Sequence, residues 1–138
     1  MRRLFFGGVH PQDKKDLSLN ELSLNSVTAE KVIIPLKQHI GVECNPIVKE
    51  GDYVLCGQKI GEGKGLCVPV HSSVSGYVEK IDESNKTIVI VNDSLDKKID
   101  FDPYQEESFI DFIREKGIVG MGGAAFPTYA KISSAVDK

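Results

Sequence analysis

Hydrophobic residues in this chain come in short β-branched bursts separated by glycine turns, and only the last third switches to helical spacing. The bursts are Val32-Ile33-Ile34-Pro35-Leu36, Pro46-Ile47-Val48, Tyr53-Val54-Leu55, Lys59-Ile60-Gly61-Glu62, residues 66–70, Tyr77-Val78-Glu79-Lys80-Ile81 and Thr87-Ile88-Val89-Ile90-Val91. Each is too short for a helix and rich in residues that suit a pleated, half-buried surface. Turns are expected at residues 49–52, at Gly57, around 63–65, at Ser75-Gly76 and over 82–86. Six or more short strands within about sixty residues predict a small barrel or sandwich. Residues 1–30 show only loose alternation of Leu17, Leu19, Leu22 and Leu24, which predicts an extended arm with short strands and turns.

After Val91 the pattern changes. Residues 92–99 are polar and charged and predict a linker or hairpin. Asp102-Pro103-Tyr104-Gln105 then offers an N-cap, a proline at the first helical position and a capping-box glutamine. Phe109, Ile110, Phe112 and Ile113 give an apolar helical face, so a helix is expected over 103–116, with Gly117 as its stop. A second helix is expected from Pro127 or Thr128 to the end of the chain. Between them lies GIVGMGGAAFPTYAK, with four glycines in the seven residues from Gly117 to Gly123. Such a loop lets backbone amides approach a ligand, and where it feeds a helix it suits a phosphate.

Composition narrows the class. With 41% hydrophobic and 27% charged residues the chain reads as globular. No apolar run approaches the ~20 residues of a membrane helix, and Leu4-Phe5-Phe6 is too short for a signal peptide, so a cytoplasmic location without membrane insertion is expected. A net charge of −3 without a basic aromatic stripe argues against nucleic acid as a partner. The eight acidic residues between Asp93 and Glu115 read as a solvated linker and helix, with partner binding as the alternative. Cys44, Cys56 and Cys67 have ten or eleven residues between neighbours, which fits neither a zinc ribbon nor a close-spaced iron–sulfur motif. They read as ordinary reduced thiols, and His10, His39 and His71 as backbone-bonded turn residues; no metal site is expected.

The order Gly-Asp-x-Val, Gly-Gln-x-Ile-Gly and Ser-Gly-x-Val over residues 30–92 resembles the barrel-sandwich hybrid fold of biotinyl and lipoyl carrier domains. VKEGDYV and SVSGYV also echo one another weakly. A carrier needs a modifiable lysine at a hairpin tip; only Lys64 is near, and its neighbours are glycines, so it reads as a solvated turn lysine. The same stretch is no phosphate-binding P-loop, since Gln58 replaces the first glycine and Gly65 the magnesium-binding hydroxyl residue.

FFGGVHP at 5–11, IPLKQHIG at 34–41, VKEGDYVLCGQKIGE at 48–62 and GIVGMGGAAFPT at 117–128 form an ordered set. Together they resemble the N-terminal part of the C subunit of the Rnf complex, the ion-translocating ferredoxin:NAD oxidoreductase of bacterial membranes. The last motif is also similar to the flavin and NADH loop of respiratory complex I. The resemblance implies a mainly β protein: an arm (1–30), a barrel-sandwich hybrid domain (31–98) and the helical start of a truncated α/β NADH- and FMN-binding domain (99–138). It implies electron transfer between NADH and ferredoxin in the intact subunit, with FMN and 4Fe–4S clusters, at the cytoplasmic face of the cell membrane. The family's cluster cysteines lie downstream, so no cluster, and no bound FMN or NADH, is expected in this chain. Gly120, Gly122, Gly123, Ala124 and Phe126 are implied as loop positions close to cofactor, with Lys131 available to a flavin phosphate. No catalytic residue is implied here, and this piece is expected to act as scaffold and docking surface for the other Rnf subunits. A soluble paralogue serving a reductase, or a non-catalytic interaction module, is the alternative.

Overall fold

The β-branched bursts become strands because alternation lets one face of each leave water. A computed structural model describes residues 27–100 and 108–133. Along these run β1 (Lys31–Pro35), β2 (Asn45–Pro46), β3 (Tyr53–Val54), β4 (Lys59–Glu62), β5 (Val70–His71), β6 (Gly76–Asp82) and β7 (Thr87–Asn92), then helices α1 (Phe109–Glu115) and α2 (Thr128–Ser133). One sheet has the order β1-β7-β6-β3 and the other β2-β4-β5. All the strand pairings are antiparallel. The mainly β architecture expected from the pattern is the one adopted; the arm falls almost entirely outside the described residues.

Burial sets the register. Ile34 pairs with Ile88 and Val32 with Ile90, which places Ile34, Ile88 and Ile90 on the inner face and leaves Ile33 67% exposed on the outer one. These join Leu36, Cys44, Val54, Ile60, Cys67, Val70 and Val78 in one buried cluster. Each large aliphatic side chain there stabilises the fold by roughly 1.5–3 kcal/mol relative to exposure. The register of β6 against β7 shifts between Val78 and Lys80, so Glu79 is the extra residue of a bulge. The weak internal echo also has a structural meaning: its two tyrosines face each other, Tyr53 paired with Tyr77 and their rings edge to face at 4.9 Å.

The 82–86 turn between β6 and β7 is organised by one carboxylate. Asp82 accepts the backbone N–H groups of Ser84 at 3.0 Å and Asn85 at 2.9 Å. It also accepts from the Asn85 side chain at 3.1 Å and the Lys80 ammonium at 3.2 Å. Hydrogen bonds from Asn85, first backbone and then side chain, pull its pKa down to about 2, with Lys80 adding to the effect.

Four expectations are corrected. Residues 66–70 are not a continuous strand; only Val70–His71 pairs. The Cys67 N–H goes to Gly65 O and the Val68 N–H to the His39 ring, and Pro69 has none, so three consecutive positions lack a ladder donor. The strands foreseen at 46–48 and 53–55 end at Pro46 and Val54. The helix foreseen over 103–116 starts at Phe109, because Ser108 is extended at φ −141° and ψ 157° and its side chain accepts the Asp111 N–H as N-cap. The earlier cap residues Asp102, Pro103 and Gln105 lie outside the described residues. Segment 92–99 is no free linker: Cys56 N–H donates to Lys97 O at 2.9 Å and Ile99 N–H to Cys56 O at 3.1 Å. Asp93 joins it to the barrel by accepting from Tyr53 at 2.6 Å and from the fully buried Ser75 at 2.7 Å.

Gly76 sits at φ +153°, and a Cβ there would lie 1.9 Å from Val91 O. Gly76→Ala is therefore expected to destabilise the chain by about 3 kcal/mol or more in equilibrium denaturation. Gly51→Ala, at φ +91° with nothing within 4 Å, should cost only the backbone strain of about 1–2 kcal/mol. Acid should act through Asp82: its folded pKa is depressed, so the unfolded chain takes up this proton first as pH falls. Its contribution is complete above 3.8 and lost toward about 2, and the corresponding slope of stability against pH should disappear in Asp82→Asn.

Candidate functional site

The loop between the helices is closed by its own backbone. Gly117, at φ +68°, ends α1: its N–H donates to Arg114 O at 2.9 Å and the Ile118 N–H to Ile113 O at 3.2 Å. This is the paired arrangement that a glycine just past a helix end makes possible. The chain then doubles back, with Val119 bridging Pro127. Gly120 N–H donates to Phe126 O at 2.9 Å and Thr128 N–H to Ile118 O at 3.2 Å. Pro127 is fully buried, Phe126 is 39% exposed and Met121 is wholly exposed. α2 begins at Thr128, as the pattern predicted.

Two bonds seat this loop on the barrel. Ile40 N–H donates to Ala124 O at 2.9 Å, and the Tyr129 hydroxyl donates to Gly65 O at 3.0 Å. On the other side Lys59 and Glu115 form an ion pair. Burial alone would lower the Lys59 pKa, but the Glu115 hydrogen bond and charge outweigh it and raise it. Gly117 also fits tightly over β5, where a Cβ would lie 2.9 Å from Pro69 O and 3.2 Å from His71 Nδ1. Burial lowers the pKa of His71 against the opposing hydrogen bond from Glu115, which favours the neutral ring.

The implied site residues divide by geometry. Gly120 and Phe126 are joined at the neck of the loop; Gly122, Gly123 and Ala124 are exposed at its tip, and Lys131 is exposed on α2. Gly123 needs its left-handed φ of +62°. Gly122 does not: it has no left-handed φ, and nothing lies within 4 Å of a Cβ built on it. The fold therefore gives no reason for glycine at 122, whereas close approach by a ligand would. Ala125 holds φ +51°, a conformation unfavourable for a residue with a Cβ and one that collects at ligand-binding loops. The loop can form one wall of a cofactor site, with exposed backbone at its tip and a partly exposed Phe126 beside it.

A second grouping had no signal in the spacing. His39, Cys44 and Cys67 are all buried, and their ligand atoms lie within 4.8 Å of one another. The expectation of a backbone-bonded histidine is met at His39, whose two ring nitrogens bond Ile40 O and Val68 N–H. His10 lies outside the described residues. Cys56 is apart from this group, with its thiol donating to Ser73 O at 3.3 Å. Three cysteines of which only two converge do not fit a 4Fe–4S cluster, which takes four thiolates. Lys64 is exposed in its turn. Among the described residues no helix is long and apolar enough to cross a membrane.

Residues 3–95 match the family model described as the RnfC barrel sandwich hybrid domain. The chain is 43% identical over 151 residues to the C subunit of the Na(+)-translocating ferredoxin:NAD(+) oxidoreductase complex of Acetobacterium woodii, covering 97% of this chain and 34% of that protein. It is 39% identical over 150 residues to the C subunit of the ion-translocating oxidoreductase complex of Haemophilus influenzae, covering 97% and 23%. The Klebsiella pneumoniae protein of the same description is 37% identical, with 97% and 20% covered. The chain thus spans only 20% to 34% of the length of these relatives.

The seat of the loop can be tested separately from any ligand. Tyr129→Phe removes the bond to Gly65 O and is expected to cost about 0.5–1.5 kcal/mol locally. Hydrogen exchange should accelerate at Gly120 and Ile40, with barrel amides such as Val78 unchanged; equal acceleration throughout would mean that the loop and barrel open together.

Proposed function

Since the chain belongs to the RnfC family through its barrel-sandwich hybrid domain, we propose that it works as the barrel module and glycine loop of an Rnf C subunit in electron transfer between NADH and ferredoxin. Gly122 carries this proposal: a glycine that neither its φ nor its neighbours require is best accounted for by an approaching ligand. Bound FMN would supply hydride acceptance from NADH and onward transfer of single electrons. Gly120, Gly122, Gly123 and Ala124 would offer backbone to it, Phe126 its ring, and Lys131 a positive charge for the phosphate. Further protein must enclose the ring system, because an exposed loop supplies one wall. The 4Fe–4S clusters would draw their ligands from outside the three cysteines of this chain.

The barrel would serve as scaffold and docking surface for the other subunits at the cytoplasmic face of the membrane. Its outer sheet face supports this role: Ile33 is 67% and Tyr77 56% exposed, on the face shared with Val89 and Val91. This face mixes those side chains with Lys31 and Lys80, which pair with Val91 and Val89, and such a mixed surface suits a protein partner.

Titration of the intact subunit with FMN, followed by flavin fluorescence and calorimetry, tests the loop. Gly122→Val is expected to abolish saturable FMN binding while leaving the unfolding of the barrel unchanged. An unaltered FMN affinity in that variant would remove the loop from the cofactor site.

A further inference from the structure

Beneath the glycine loop, the fold brings together three side chains that the electron-transfer role does not use. We propose that His39, Cys44 and Cys67 form a structural site for a thiophilic divalent cation of the zinc type, with the Val68 carbonyl as fourth donor. The two sulfur atoms lie 3.1 Å apart. Val68 O is 3.1 Å from Cys44 Sγ and 3.7 Å from Cys67 Sγ, and the histidine nitrogen completes a group within 4.8 Å. Zinc bonds of about 2.3 Å to sulfur and 2.0 Å to nitrogen place neighbouring donors on one ion roughly 3.3–3.8 Å apart. Small side-chain movements therefore suffice to receive it.

The imidazole already has the tautomer a ligand needs. The Val68 N–H can only donate, at 3.1 Å, so Nε2 carries a lone pair. Ile40 O can only accept, at 2.8 Å, so Nδ1 carries the hydrogen. A backbone carbonyl behind the remaining ring N–H is the usual support of a metal-binding histidine. The cation would take over the lone pair now engaged by the Val68 N–H, and its bonds must offset the loss of that hydrogen bond.

Charge selects a dication. Binding releases the proton of each thiol, and two thiolates neutralise a +2 ion, which a site this deeply buried requires. Because each thiol must give up its proton to bind, loading weakens as pH falls. Gly63 is part of the design, since a Cβ there would lie 2.7 Å from Cys67 Sγ. The ion would pin residues 39–44 to 63–68, the two segments that supply Ile40 N–H and Gly65 O to the glycine loop.

Cobalt(II), a coloured stand-in for zinc, is titrated into the reduced 138-residue chain, with circular dichroism and thermal unfolding alongside. One equivalent should bind with a thiolate-to-cobalt absorption band, intense tetrahedral d–d bands and release of protons, and zinc should displace it and raise the melting temperature. Cys44→Ala/Cys67→Ala, which keeps the core apolar, should abolish all of these while its circular dichroism stays native. His39→Gln should weaken binding by more than the roughly 10–100-fold expected from loss of an outer partner. Cys56→Ser and His71→Gln should bind normally. A folded, reduced chain without the thiolate band would overturn the proposal, as would a band lost in Cys56→Ser but kept in the double alanine variant. So would a chain that forms a Cys44–Cys67 disulfide in air yet binds no cobalt when reduced.

Discussion

The structure depends on how closely residues 36–44 lie against residues 61–67. A Cβ at Gly41 would lie 2.2 Å from Leu66 O, at Gly61 2.8 Å from a Leu36 methyl, and at Gly63 3.1 Å from Glu43 O. Three missing side chains thus allow a segment of irregular backbone to touch the end of β4 and the turn after it. Irregular backbone can be buried only if its polar groups find partners. They do: Val42 N–H reaches Leu66 O, Cys44 N–H reaches Leu36 O, and the His39 ring takes the Val68 N–H that no strand claims. His39, a polar residue only 6% exposed in an otherwise apolar region, stands in for a missing strand neighbour.

That seam positions everything downstream. Its two edges hand a donor, Ile40 N–H, and an acceptor, Gly65 O, to the loop and to α2. Tertiary bonds hold α2 in place, among them that of the Tyr129 hydroxyl to Gly65 O. The Lys59–Glu115 pair and the packing of Gly117 over His71 fix the opposite side. The relatives belong to ion-translocating oxidoreductase complexes, and in this chain the barrel holds up an exposed glycine loop.

Legibility followed the range of the forces involved. The sheets were readable because alternation is local: Ile88 and Ile90 face inward, and β4 has the bounds its residues predicted. The stop at Gly117 and the start of α2 at Thr128 were readable because caps act over a few residues. The strand foreseen at 66–70 failed because the Val68 N–H is claimed by a histidine 29 residues away. The helix start failed because two cap signals compete, and Ser108 with Asp111 supplies an N-cap whatever the distant proline offers.

By itself, then, the sequence determined the strand pattern, the turns, the helix stop and the family, all of which rest on neighbouring residues or on ordered motifs. It also singled out the glycine loop. Which glycines that loop needs for its own shape, and which it leaves open, emerges from the folded chain alone, because the answer depends on what a Cβ would meet. Tertiary structure alone brought His39, Cys44 and Cys67 together, since chain closure places side chains 23 residues apart within 3.1 Å without any trace in their spacing.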